Sequence, residues 1–198
     1  MSYNMKNNFT NLRSYAQEHA VPIISQNTEY FLKEYISKNN IQHIIEIGSA
    51  IGYSTSCCID EIHQNHKHSG SIISWEISYP HYYQALQNSK SYQGTTLLLW
   101  NFCSYPLEKY LQPWYYDMVF IDGRKSETLL YIKLLSPYLK TTTHIIIDDV
   151  IKFKSKMQDC YDFLDKYQIH YEIEQLDDDD GILIIPQSEH LLKALSSL

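Results

Sequence analysis

The sequence is poor in arginine, with Arg13 and Arg124 alone among 198 residues. It has four cysteines, six glycines and six prolines, and no long apolar run. Each scarcity excludes something. Nonspecific nucleic-acid binding needs clustered cations, and here 16 Lys and Arg face 23 Asp and Glu for a formal charge of −7. Cys57, Cys58, Cys103 and Cys160 form no C-x-x-C pair, which argues against a disulfide framework and for a reducing compartment. No stretch reaches the ~20 apolar residues that cross a bilayer, so no membrane partner is expected. The opening segment MSYNMKNNFT lacks the apolar core of a secretory signal, and the expected location is the cytoplasm. What is present is a hydrophobic fraction of 44% with 20% charged residues, enough to build one ordinary core.

No linker or repeat divides the chain, and the expectation is a single domain over 1–198. Residues 1–40 supply N-terminal helices covering the site, 41–186 a core sheet, and 187–198 a helical tail. Helices are expected over 8–19 and 27–38. After Asn39-Asn40 the apolar pattern changes period. Strands are expected over 41–47, 71–76, 95–100, 117–121 and 144–148, alternating with helices over 53–65, from Pro80, near 107–111, over 127–139 and over 156–167. Such alternation implies right-handed crossovers and a doubly wound, mostly parallel α/β sheet. Residues 169–176 and 181–186 leave no room for a crossover helix and must form an antiparallel hairpin. The sum is seven strands, five of them parallel.

Ligands of such sheets bind beyond the carboxyl ends of the strands. Four of the five parallel strands end on or beside carboxylates: Glu46 in Glu46-Ile47-Gly48, then Glu76, Asp122 and Asp148-Asp149. The glycine segment reads E-x-G-x-x-x-G-x-S through Gly48, Gly52 and Ser54, which differs from the dinucleotide pattern. Gly48 permits close backbone approach, and the helix opening at Gly52 and Ser54 favours negative charge. A plain strand–turn–helix junction is the simpler account of that segment taken alone. Glu76 at the next strand end suits the two hydroxyls of a ribose.

Taken together, Tyr15-Ala16, Val21-Pro22-Ile23, Glu46 to Ser54, Phe120-Ile121-Asp122-Gly123-Arg124-Lys125, Ile145 to Val150 and Asp180-Gly181-Ile182 resemble the metal-dependent class I S-adenosylmethionine O-methyltransferases. The catechol and caffeoyl-CoA enzymes belong to that family. The nearest likeness is to its bacterial tRNA 5-hydroxyuridine branch, and it spans roughly residues 12–186 in order. The resemblance implies a Rossmann-like fold, S-adenosylmethionine as donor, and a divalent cation, Mg²⁺ or else Mn²⁺ or Ca²⁺. It implies an acceptor that is 5-hydroxyuridine in tRNA or a small catechol-like phenol; the charge balance of −7 argues separately against a DNA partner. Carried over by position, Glu46, Gly48, Ser54 and Ile23 would serve the cofactor, Glu76 its ribose, and Phe102 and Cys103 its adenine. Asp122, Asp148 and Asp149 would hold the cation, with Asp122 also at the cofactor, and Lys125 would be the base. Hard oxygen donors on adjacent strand ends suit such ions. A desolvated lysine near a cation is expected to have a lowered pKa.

Three departures stand out. Asp148-Asp149 replaces the family's Asp-Asn, Asn101 to Ser104 replaces a small acidic segment, and the stretch after Asp149 lacks an arginine-rich insertion. An extra carboxylate either tightens the cation site or marks its decay, and decay would leave a non-catalytic S-adenosylmethionine-binding module. Lys152, Lys154 and Lys156, with Arg124 and Lys125, form either a solvated helix start or a phosphate-binding rim. His63, His66 and His68 are expected on a surface loop, and Asp177 to Asp180 in a hairpin turn. Cys57 and Cys58 are expected to pack as small apolar groups. Leu191, Leu192, Leu195 and Leu198 form an amphipathic stripe, packed on its own sheet or, alternatively, in a homodimer contact.

Overall fold

The computed structural model describes residues 11–197. Residues 8–10 of the first expected helix and Leu198 of the leucine stripe lie outside them. Seven strands form one sheet: β1 (His43–Ile47), β2 (Ser71–Glu76), β3 (Thr95–Leu99), β4 (Tyr116–Ile121), β5 (Leu139–Ile147), β6 (Glu172–Gln175) and β7 (Gly181–Ile185). Their order is β3-β2-β1-β4-β5-β7-β6, with the first five parallel and β7 antiparallel to both neighbours. Helix α1 covers residues 11–18, and α2 is Gln26–Lys38. The others are α3 (Tyr53–Asn65), α4 (Tyr79–Ser89), α5 (Thr128–Leu135), α6 (Gln158–Lys166) and α7 (Glu189–Ser196). No helix among the described residues is long and apolar enough to cross a membrane.

The central strands are β-branched on both faces, as a sheet covered on both sides requires. Ile45, Val119 and Ile145 bury their side chains in one apolar layer, and Ile44, Met118 and Ile146 in the other. Helix ends obey local rules that shorten the expected strands. Asn40 and Gln168 adopt left-handed backbones, with φ of 55° and 51°, and the following isoleucine amide turns back onto the helix. Ile41 donates to the Ile36 carbonyl and Ile169 to that of Leu164, so both isoleucines cap helices instead of starting strands. Ser136-Pro137 stops α5 at Leu135, and Leu139 pairs with Tyr116 at the start of a longer β5.

The leucine stripe is spent within the chain: Leu191 is buried, and Leu192 and Leu195 pack against the same core. Cys57 and Cys58 are buried free thiols on α3. His63 departs from expectation. Its ring is buried, tilted against the Tyr92 ring, because α3 continues through it.

Asp117 fastens the start of the central strands. Its carboxylate accepts the Gln42 amide at 3.0 Å and the His43 amide at 2.9 Å, and pairs with Lys140. Burial acts to raise its pKa, but the Lys140 ammonium and the two amides outweigh it and hold the group below the usual value. The stabilisation is therefore present above about pH 4 and lost as pH falls through the folded value. Asp117→Ala is expected to cost about 1–3 kcal/mol at pH 7 and much less near pH 3, read from urea unfolding at both values.

Candidate active site

Strand register assembles the site. Ile47 is level with Trp75 on one side and Ile121 on the other, and Ile121 is level with Ile147. The next residue along each strand therefore falls in one row: Glu76, Gly48, Asp122, Asp148. The ladder continues through that row. The Gly48 amide donates to the Trp75 carbonyl, Asp122 to Ile47 and Asp148 to Ile121, at 2.9 to 3.1 Å. Gly48 has a φ of 98°, and a Cβ there would lie 2.5 Å from the Asp122 carbonyl oxygen. Glycine is thus required for the chain to turn while β1 and β4 stay this close.

Above the row lies a cavity of about 900 Å³. Its floor holds Gly48, Glu76, Asp122, Asp148, Asp149 and Lys125, and its wall holds Ile23 from the α1–α2 connection. Phe153, Lys152, Lys156 and Asp180 line it as well. A smaller cavity next to it is lined by Trp75, Ile77, Trp100, Phe102 and Tyr131, and shares Gly48, Glu76 and Arg124 with the first. An elongated ligand with a polar end and a flat end fits that pairing.

One oxygen from each of Asp122, Asp148 and Asp149 falls within 4.8 Å of the others. Lys125 donates to Asp122 Oδ1 at 2.7 Å and lies 3.7 Å from Asp149 Oδ2. Asp148 is buried, and its Oδ1 has no hydrogen-bond partner. Burial, then the neighbouring Asp122 charge, pushes the Asp148 carboxyl well above its usual range. Three acids with one ammonium leave excess negative charge in a partly desolvated place, and one of their carboxylate oxygens is buried without a hydrogen-bond partner. That donor set fits a hard divalent cation. Asp149 has a φ of 58°, a conformation that Asp and Asn tolerate best, so the change from Asn keeps the backbone geometry.

Lys125 differs from expectation. Burial pulls its pKa down, but Asp122, Asp148 and Asp149 outweigh it, and the net direction is up. The carboxylates that qualify as cation ligands are also what keeps the lysine protonated.

Glu76, which lines the cavity, uses one oxygen for the Ala50 amide at 2.8 Å and the other for the Ser78 amide at 2.6 Å, which leaves each oxygen a further lone pair. Three expected cofactor residues stand apart from the cavity lining. Glu46 is buried behind it, accepts the Thr55 hydroxyl, and is pushed up to about 7, chiefly by burial. Ser54 is buried in the first turn of α3. Cys103 points its thiol at Glu127. The smaller cavity is met instead by Phe102 together with Arg124, Glu127 and Tyr131.

The sequence reading passed over three further contributors. Asp180, expected only in a turn, accepts the Ser25 hydroxyl at 2.6 Å and that of Thr28 at 3.4 Å, and lines the cavity. Phe153 carries Lys152 and Lys156 over its ring, 5.6 and 4.7 Å from the centroid, whereas Lys154 turns to the Tyr161 ring. Arg13 donates to the Ile24 carbonyl and to Glu29, and stacks over Tyr53. Only the Asp180-Gly181-Ile182 motif hinted at the first of these.

Residues 45–150 match the family model described as a methyltransferase domain. Among solved structures, one from Staphylococcus aureus, provisionally named a caffeoyl-CoA O-methyltransferase, has 26% identity over 90% of this chain and 91% of its own, with a TM-score of 0.74. A Klebsiella pneumoniae structure, provisionally named an O-methyltransferase, shares 20% identity over 94% and 95%, with a TM-score of 0.76. A Bacillus cereus O-methyltransferase in complex with SAH shares 16% over 91% of each chain, at 0.72. The chain belongs to this methyltransferase family.

Because its folded pKa is raised, the Asp148 carboxyl costs stability as pH rises above the ordinary carboxylate range. Asp148→Asn in chelator is expected to raise Tm by about 2–6 °C in differential scanning calorimetry. A fall in Tm would contradict the reading of an excess buried charge.

Proposed function

We propose that the protein transfers a methyl group from S-adenosylmethionine to a hydroxyl on an aromatic acceptor, with a divalent cation, Mg²⁺ first among candidates, held by Asp122, Asp148 and Asp149. The observation carrying this reading is the three-carboxylate cluster with its orphaned Asp148 oxygen, beside Lys125 and level with Gly48 and Glu76. When bound, a cation there would supply positive charge that eases loss of the acceptor hydroxyl's proton.

The protein's own groups do the rest. Glu76 accepts the ribose hydroxyls through its remaining lone pairs, and Gly48 leaves room for the chain of the donor beside it. Phe102 and Arg124 cover the flat end of the donor in the smaller cavity. The hydroxyl proton passes to the Asp122 carboxylate, which the Lys125 ammonium holds in place by one short hydrogen bond, and the methyl moves from the sulfonium sulfur to the freed oxygen, leaving the donor as a neutral thioether. Ile23 and Phe153 exclude water and hold the acceptor in line, where approach to ~3–3.5 Å provides much of the acceleration.

Phe153 between two lysines on the cavity wall favours an aromatic ring attached to phosphate, which supports 5-hydroxyuridine in tRNA over an uncharged phenol. The same ring alone would serve a catechol-like phenol, which stands as the second reading. We place this activity in the cytoplasm and in one domain spanning the chain, with the N-terminal helices over the site.

The test is methyl transfer to 5-hydroxyuridine-containing tRNA and to a phenol panel. EDTA and Asp122→Ala are each expected to lower turnover at least 100-fold. Turnover on tRNA should fall about tenfold between 50 and 200 mM salt, and as much in the Lys152→Glu, Lys156→Glu double variant. Chelator-resistant activity would remove the cation from the account. Cofactor binding without activity or cation binding would establish the non-catalytic module instead.

A further inference from the structure

The wall and floor of the larger cavity come from distant parts of the chain. The floor row ends at Asp148 and Asp149, and Val150 follows. The wall is Pro22-Ile23-Ile24, between α1 and α2. The turn of the β6–β7 hairpin stands between them and is tied to both. On one side the Val150 amide donates to the Gly181 carbonyl at 3.0 Å. A Cβ on Gly181 would lie 2.5 Å from the Ile151 side chain, so the absent side chain lets the hairpin sit this close to the acid-bearing loop. On the other side Asp180 accepts the Ser25 hydroxyl at 2.6 Å and the Thr28 hydroxyl at 3.4 Å on one carboxylate oxygen. The Asn27 side-chain amide adds a bond to the Leu176 carbonyl at 3.1 Å. The route from Asp149 to Ile23 therefore passes through two hydrogen bonds, Val150 to Gly181 and Ser25 to Asp180, and otherwise through adjacent residues.

The turn is built to hold that carboxylate still. The Asp180 carbonyl accepts the Leu176 amide at 3.0 Å and the Asp177 amide at 3.2 Å, which closes the tip on itself. Asp177, Asp178 and Asp179 stand exposed, whereas Asp180 is half-buried and lines the cavity. Its charge meets the N-terminus of a 13-residue helix, where negative charge is favoured. Ser25 is the N-cap of that helix, and its oxygen also accepts the Thr28 amide at 3.0 Å. One hydroxyl thus caps α2 and fastens it to the hairpin. Hydrogen bonds to a carboxylate are roughly twice as strong as neutral ones, so the tie is a firm one. A turn that served only to reverse the chain would use Asp for its local backbone bonds, not for a partner 155 residues away.

We propose that Asp180 is a positioning residue for methyl transfer, a role that rests on the function proposed above. By clasping Ser25 and Thr28 while Gly181 is tied to Val150, it sets the distance of the Ile23 wall from the acid-bearing edge. That distance fixes the line between the donor methyl and the acceptor oxygen, and a misplacement of about 1 Å costs on the order of 100-fold in rate. Asp180 acts through the wall and not on the reacting atoms. What it must supply is an acceptor for two hydroxyls, which an amide oxygen also provides.

Hydrogen exchange on the full chain with SAH, paired with steady-state turnover, tests this. Asp180→Ala is expected to speed exchange of the Thr28, Glu29 and Tyr30 amides at least about tenfold, while β4 and β5 keep wild-type protection. Its kcat is expected to fall about 10–100-fold, with SAH affinity by calorimetry within about threefold of wild type. Asp180→Asn keeps the acceptor and drops the charge, and is expected to restore protection and bring kcat to within about fivefold of wild type. Ser25→Ala should lose as much kcat as Asp180→Ala, and the double variant no more than about threefold beyond either, because both open one clasp. If Asp180→Ala fails to fold, Ser25→Ala and Asp180→Asn carry the same comparison. Unchanged exchange and kcat in Asp180→Ala overturn the proposal. So does an Asp180→Asn variant as slow as Asp180→Ala with its amides protected, which assigns the charge to the reacting centre. Losses that multiply in the double variant overturn it as well. A wild type inactive on every acceptor sinks the methyl-transfer reading and this role with it, whereas an active wild type whose kcat ignores the variants sinks this role alone.

Discussion

The site depends on the parallel register among β2, β1, β4 and β5. Because Trp75, Ile47, Ile121 and Ile147 are level, the residues that follow them must emerge side by side, whatever else the loops do. A slip of one residue in any pairing would turn a strand inside out and bury its carboxylate in the wrong layer. The β-branched residues that fill both apolar layers therefore also align Glu76, Gly48, Asp122 and Asp148. Gly48 is the tightest point of the arrangement, since only its missing side chain lets the β1 end lie against the Asp122 backbone.

That geometry concentrates negative charge where water is scarce. Asp122 and Asp148 both have carboxyls driven upward by burial, and Lys125 is the cation that offsets them. The fold tolerates the cost because the surroundings are tied down from several directions. Arg13 and Glu29 join α1 and α2 to Tyr53 at the start of α3, and Ser25 at the α2 N-cap donates to Asp180 across the hairpin. The segment carrying Ile23 is thus anchored on both flanks, one contact to the first-strand side of the sheet and one to the last. Arg13, one of only two arginines, is committed to this bracing and is removed from any electrostatic surface.

Much of this was legible in the sequence, because strand ends and helix starts are local properties. The spans of α3 and β2 follow from periodicity and glycine placement alone, and the acids at strand ends lead to the correct edge of the sheet. What was not legible arises from contacts between distant residues. Asp180 reads as a hairpin turn until α2 is laid against it. Phe153 has no motif and gains meaning from the lysines folded over it. His63 looks solvent-facing in a polar stretch, but the helix turns it inward against Tyr92. The direction of the Lys125 shift is set by three carboxylates converging from two strands, a sum that spacing does not provide. The leucine tail was legible as an amphipathic stripe, and of its described residues Leu191 is buried while Leu192 and Leu195 pack against the core.

The central claim is that Asp122, Asp148 and Asp149 together form a divalent-cation site at the bottom of the cofactor cavity. The most direct measurement is anomalous diffraction from crystals grown with Mn²⁺ and SAH. The account predicts one strong anomalous peak within about 2.0–2.6 Å of oxygens from all three aspartates. No peak among them at saturating Mn²⁺, or Lys125 Nζ occupying that position, would contradict it.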